Sequence, residues 1–188
     1  MKISLLLAVV VFAMLSISKS EAQTDTLKMY TYETAAMSNP YDVFRLSMVK
    51  YLTEKKSLPK DILKYSNCRV LYLSAPTKRI VKGKQYFGES KFKDIPDWIT
   101  SLEAVERIEI RGHVGFRFEK ELIKLKDLKS LRELEMEPEE VTDELIAVLG
   151  ELKQIKDLVI YSSMTVNDIR YEKLKELLPE SSIQLVNQ

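Results

Sequence analysis

Five short segments of the chain share one pattern of hydrophobic and polar positions, apolar-x-x-apolar-x-apolar, and a shortened sixth copy follows them. Alternation of this kind predicts short β-strands with one buried face. The middle apolar residues are 25, 37, 26, 24 and 25 positions apart, and they are Leu46, Leu71, Ile108, Leu134, Leu158 and Ile183. The near-constant spacing predicts an internal repeat, and the one long interval indicates an insertion of about twelve residues.

Between the predicted strands, apolar residues recur at steps of three and four, for example over 122–128 and 145–152. This spacing is typical of a helix with one buried face. Pro59 and Pro96 suit a first helical turn, where the missing N–H breaks no hydrogen bond. Thr142 is a suitable residue to begin a helix. The chain is therefore expected to alternate strands with helices in an α/β fold.

Two of these units carry a more specific signature. Segments 58–74 and 95–110 resemble the leucine-rich-repeat unit L-P-x-x-I-x-x-L-x-x-L-x-x-L-x-L, and the lead-in 39–46 resembles the start of secreted bacterial members of that family. The resemblance covers roughly residues 32–188. It implies a short horseshoe-shaped α/β solenoid, with a parallel sheet on the concave face and helices on the convex face, and a role in protein recognition. The asparagine that the family usually places after each strand is replaced here by Tyr51, Pro76, His113, Glu139 and Ser163.

The N-terminus has the composition of a secretory signal peptide. Lys2 precedes an apolar run over 3–17 that is short for a membrane span, and small residues at Ser20 and Ala22 fit a cleavage site. We therefore expect a signal peptide over 1–22, a lead-in and cap over 23–40, and a leucine-rich-repeat domain of about five repeats over 41–188. The alternative is an uncleaved N-terminal anchor. Cleavage, with no cysteine near the site, predicts a secreted or periplasmic protein that has no membrane span in its mature chain.

Charge and cysteine content narrow the class of partner. Removing residues 1–22 leaves equal numbers of basic and acidic residues, whereas a general nucleic-acid binder shows a basic excess. We therefore expect no nucleic-acid partner. The single cysteine, Cys68, excludes an intramolecular disulfide.

Few residues offer catalytic or metal-binding chemistry. His113 is the only histidine; it is either the base of a nucleophilic site or, as its position favours, a turn residue in place of the usual asparagine. Cys68 falls on an apolar repeat position, which favours a buried structural thiol. The acidic run Glu133, Glu135, Glu137, Glu139 and Glu140 lacks calcium-loop spacing and favours a solvated strand face. We therefore expect no enzyme activity, no cofactor and no metal site.

The insertion lies within 77–93. It contains six basic residues against Glu89, with Tyr86 and Phe87 near its middle. Aromatic residues flanked by cations are common interface anchors, and loops on a rigid scaffold often carry function. The alternative is a surface hairpin without a role.

The concave face can be listed because alternate residues of a strand point to the same side of the sheet. Together with Tyr86 and Phe87, it yields a candidate partner-binding set: Tyr72, Glu109, Arg111, Glu135, Glu137 and Tyr161. Aromatic residues around fixed charges predict a protein–protein interaction module whose oligomeric state the sequence leaves open. The alternative is a structural cell-envelope or glycan-binding protein without catalytic activity.

Overall fold

The structure is a computed structural model that describes residues 28–81 and 84–187; within the insertion, only the backbone is described for 79–81 and 84–86. The predicted signal peptide lies outside the described residues. Seven strands form an open, entirely parallel sheet in chain order. They are β1 (Tyr30–Thr31), β2 (Arg45–Ser47), β3 (Val70–Tyr72), β6 (Arg107–Ile110), β7 (Glu133–Met136), β8 (Asp157–Tyr161) and β9 (Ser182–Val186).

The register of the sheet follows the sequence repeat. Each of the six spaced apolar residues lies beside the next on the neighbouring strand, in the order Leu46, Leu71, Ile108, Leu134, Leu158 and Ile183. The first five are at most 1% exposed. The prediction that these residues occupy neighbouring, co-directed strands is confirmed, and the molecule has a mixed α/β fold.

The segments between the strands are helical, as expected, but many of the helices are short. The α-helices are α1 (Tyr32–Ala36), α2 (Val49–Leu52), α3 (Phe118–Glu121), α4 (Asp143–Glu151) and α5 (Ile169–Leu177). The 3₁₀ helices are η1 (Pro40–Asp42), η2 (Lys60–Lys64), η3 (Asp97–Ser101) and η4 (Leu122–Leu125). Pro59 and Pro96 lie immediately before η2 and η3, and Thr142 caps α4 by accepting a hydrogen bond from the Leu145 amide.

The approach to each strand repeats one backbone arrangement. The Phe44 carbonyl accepts hydrogen bonds from the amides of Arg69 and Val70, and the Arg69 carbonyl accepts from those of Glu106 and Arg107. In the next two units, the Glu106 carbonyl accepts from the amides of Arg132 and Glu133. The Arg132 carbonyl accepts from the amides of Lys156 and Asp157. Main-chain groups thus satisfy one another between units, as buried backbone requires.

Two elements were not anticipated in this form. The two-residue strand β1 lacks the repeat pattern, yet it extends the sheet by pairing with β2, and α1 follows it within the predicted lead-in and cap. The short helix α2 begins at Val49, directly after β2 and Met48.

The insertion forms an antiparallel hairpin of β4 (Thr77–Val81) and β5 (Lys84–Phe87), separate from the large sheet. Its return limb is tied to the preceding unit, because the Lys91 amide bonds the Leu52 carbonyl and the Lys93 amide bonds the Lys56 carbonyl. Among the described helices, none has the length and hydrophobicity needed to cross a bilayer.

Candidate functional site

One side of the seven-stranded sheet exposes a lattice of side chains, which we call the open face and which corresponds to the predicted concave face. Its residues alternate with core residues along each strand. The lower row contains Arg45, Val70, Arg107, Glu133 and Asp157; the middle row contains Ser47, Tyr72, Glu109, Glu135, Val159 and Gln184. The upper row, at or just past the strand ends, contains Ser74, Arg111, Glu137, Tyr161 and Val186.

Glu135 is the centre of a polar network on this face. Its carboxylate accepts hydrogen bonds from Arg107 Nη2 and from the Tyr161 hydroxyl, each at 2.7 Å, and Arg111 Nη1 lies 3.6 Å away. The Glu135 side chain is only 12% exposed. Partial burial of Tyr161, followed by its hydrogen bond to this carboxylate, raises the pKa of the phenol to about 12, so Tyr161 stays a neutral donor.

Arg111 is held from three directions. Its Nε donates to Glu137 at 3.2 Å, and its guanidinium carbon lies 3.6 Å from the centroid of the Tyr161 ring. The Phe87 ring approaches from the insertion, with its centroid 5.4 Å from the same carbon. A guanidinium over an aromatic face is attracted to the ring quadrupole. Contacts within the chain therefore fix the position of this guanidinium.

Phe87 connects the insertion to the edge of the open face. It lies against Gly112, which has a φ of +72°, and a Cβ at that position would overlap the Phe87 ring. The base of the hairpin is closed by the Gly88 amide, which donates to the Pro76 carbonyl at 2.6 Å. Gly112 thus provides both the turn and the space that bring the insertion beside Arg111.

Tyr72 and Glu109 occupy the neighbouring part of the face. They are partners in the register between β3 and β6, and Glu109 continues the row to Glu135 on β7. Glu109 accepts a hydrogen bond from the Ser74 hydroxyl at 2.7 Å. The Tyr72 hydroxyl accepts a hydrogen bond from Arg45.

The structure thus brings together all but one of the residues in the predicted partner-binding set. Tyr86 pairs with Arg79 along the hairpin, but its side chain lies outside the described residues. Sequence analysis missed Arg107, which bonds the central carboxylate, and Gly112. The period-two signal that selected Glu109 also applies to Arg107, two residues earlier on the same strand.

The other candidates for chemistry have structural surroundings. Burial raises the pKa of the Cys68 thiol to about 12, and its Sγ–H points to the Val70 carbonyl at 3.5 Å. His113 is 3% exposed, and its Nε2 hydrogen-bonds the Leu73 carbonyl. Its Nδ1 lies 2.8 Å from Ser90 Oγ in the insertion. The Ser90 hydroxyl in turn donates to the Leu52 carbonyl at 3.0 Å. His113 and Ser90 thus connect the insertion to the units on both sides of it. No group of three or more potential metal ligands occurs within the described residues.

No family model matches this chain, and no curated protein matches it either. A solved structure of a leucine-rich-repeat protein from Leptospira interrogans is similar over 84% of this chain and 54% of that one. The sequence identity is 16% and the TM-score is 0.23. The chain therefore spans about half the length of that protein.

Proposed function

We propose that the protein is a secreted or periplasmic leucine-rich-repeat module that binds a partner protein through its open face and the adjoining insertion. The observation that carries this proposal is the position of Arg111, between Tyr161 on β8 and Phe87 at the end of the insertion. Arginine and tyrosine held in place before association are typical of interface anchors, because little side-chain entropy remains to be lost on binding.

The repeat architecture supports the solenoid part of the proposal. Strands follow in chain order, their core residues are in register, and the same amide–carbonyl pairing precedes successive strands. A unit of this kind cannot bury its apolar face alone and is stabilised by its neighbours. Such a scaffold presents a continuous sheet, and its outward side chains can serve binding because the core does not require them.

The proposal is tested by substituting the two tyrosines of the open face, Tyr72→Ala and Tyr161→Ala, in the chain without residues 1–22. The variant is expected to remain folded and to lose most of its capture of a specific partner from extracts of its own cell envelope, measured by quantitative mass spectrometry. Tyr41→Ala is the matched control, since Tyr41 is 65% exposed and lies in η1, away from the open face. Equal capture by all three proteins would refute the proposal.

The same preparation distinguishes the alternative of a structural or glycan-binding protein. Sedimentation at increasing concentration would reveal self-association, and co-sedimentation with purified envelope glycan would reveal carbohydrate binding. Either result, with no protein captured, would replace the proposed function.

A further inference from the structure

The open face carries more negative than positive charge where it is most polar. On β6, β7 and the residues that follow them, two arginines, Arg107 and Arg111, face four glutamates, and β8 adds Asp157. The arginine on β2, Arg45, lies at the other end of the lower row, where its guanidinium bonds the Tyr72 hydroxyl and lies 5.6 Å from the centroid of the Tyr72 ring. The negative excess is therefore confined to β6–β8.

Arg107 on β6 and Arg111 just after it already make ion pairs. Arg107 contacts Glu135 at 2.7 Å and Glu133 at 3.5 Å, whereas Arg111 contacts Glu137 at 3.2 Å and lies against Tyr161. A turn of either guanidinium toward Glu109 would break these contacts. The network therefore cannot neutralise Glu109 without loss elsewhere.

Two carboxylates on this face make no ion pair with any described side chain: Glu109 and Asp157. Glu109 is half-buried, accepts its hydrogen bond from a neutral hydroxyl, Ser74, and lies beside Tyr72. A carboxylate offers about four lone-pair positions, so most of its acceptor capacity is unused by these contacts. Asp157 is exposed and lies next to Glu133, whose side chain is 49% exposed.

From this arrangement we propose that the open face binds a partner protein through basic side chains of that partner. One lysine or arginine would contact the Glu109 carboxylate, and a second would lie over Glu133 and Asp157. A charge-assisted hydrogen bond from a cation to an unpaired carboxylate favours these positions. At β6–β8 the same excess charge repels acidic groups of a partner, so it selects between partners as well as attracting one.

This inference rests on the proposed function of the open face and can be tested without knowing the partner. The probe is a short peptide of alternating lysine and threonine, titrated into the isotope-labelled chain while backbone NMR shifts are followed. The expected result is a set of shifts centred on Tyr72, Glu109 and Glu133. A matching glutamate–threonine peptide should cause none of these shifts.

The decisive comparison uses two variants with the same change in net charge. Glu109→Gln with Glu133→Gln and Asp157→Asn should weaken lysine-peptide binding by about tenfold, the combined effect expected of three partly exposed ion pairs. The control carries three neutralised glutamates that are exposed and lie off the open face, Glu54→Gln, Glu103→Gln and Glu176→Gln, and should bind as the parent does. If the triple variant does not fold, Glu109→Gln is compared with Glu103→Gln, which makes the same single change in charge off the open face.

Three outcomes would overturn the inference: equal loss in both triple variants, shifts that map to another surface, or identical shifts produced by calcium chloride alone. If the tyrosine variant loses its envelope partner while the lysine peptide does not bind, the proposed function stands and this inference fails. If neither effect is seen, both fail.

Discussion

His113 illustrates how a single buried side chain links neighbouring units of the fold. It occupies a position where the family resemblance leads one to expect asparagine, and its Nε2 donates to the Leu73 carbonyl, which can only accept. Aromatic contacts with Phe92 and Phe116 surround it. Burial, with a smaller contribution from the nearby Lys93 charge, lowers the pKa of His113 to about 4.

This environment predicts acid sensitivity. Since the pKa is about 4 in the folded chain and 6.5 without the protein environment, the unfolded state binds the proton more readily. The stability that the folded chain gains by keeping His113 neutral is complete above pH 6.5 and is lost as the pH falls toward 4. Its size is on the order of 3 kcal/mol, and urea unfolding across this window measures it.

His113→Gln is the corresponding control, because an amide can donate to Leu73 but does not titrate. The variant should lose less stability than the parent between pH 6.5 and 4. Parallel pH profiles for the two proteins would show that another group is responsible.

At the scale of elements, side chains of one unit bond the carbonyls of the unit before it. The Ser130 hydroxyl donates to the Val105 carbonyl at 2.8 Å, and Ser181 donates to the Ile155 carbonyl at 2.7 Å. The position equivalent to Ser130 in the preceding unit is Ala104, opposite Cys68. A cleft of about 140 Å³ lies there and is lined by both residues.

We therefore predict that Ala104→Ser stabilises the fold. The new hydroxyl would donate to the Cys68 carbonyl and raise the free energy of unfolding by up to about 1 kcal/mol, whereas Ser130→Ala should lower it by about 1 kcal/mol. Chemical denaturation of both variants checks the pair. A lower denaturation midpoint for Ala104→Ser would mean that a serine at this position does not form the hydrogen bond to the preceding unit.

The attachment of the insertion gives a second prediction at this scale. Gly112→Ala should destabilise the fold by about 2 kcal/mol, because it combines a positive φ with overlap against Phe87. In a background carrying Phe87→Ala, only the backbone cost of about 1 kcal/mol should remain. Equal costs in both backgrounds would show that Phe87 does not lie on Gly112 in solution.

At the scale of the whole molecule, a core position gains stability from having neighbours on both sides. Leu134 on β7 lies between Ile108 and Leu158 and is 1% exposed. Ile183 occupies the equivalent place on β9, at the edge of the described sheet, and is half-buried. The two side chains lose the same number of carbons on truncation to alanine.

Leu134→Ala is therefore predicted to cost about 2–5 kcal/mol through a cavity, and Ile183→Ala distinctly less. Thermal or urea denaturation of the two variants measures the difference. Similar losses would indicate that stability does not depend on position along the sheet.

Much of the fold follows from spacing. The apolar positions predicted the strands from β2 to β9 in the large sheet and their register, and the interval of 37 residues located the insertion. The predicted helices are present, but several are 3₁₀ helices of only four or five residues. The strand β1 was missed because two residues carry no detectable period.

The candidate site was predicted less completely, because contact partners are not encoded in alternation. Period two selects the outward residues, so Tyr72, Glu109 and Tyr161 could be named from sequence. That Glu135 receives both an arginine and a tyrosine depends on how far each side chain reaches across neighbouring strands. The contact of Phe87 with Gly112 joins residues 25 positions apart and has no local signature.

The sequence by itself therefore determined which residues are buried and which face outward, since hydrophobic burial acts on each position at a regular period. Only the tertiary structure decided which outward charges neutralise one another and which remain available. Pairing depends on distances of a few ångströms between side chains from different strands, as in the contact between Arg107 and Glu135. Glu109 is selected only at that level, because its neighbours engage each other.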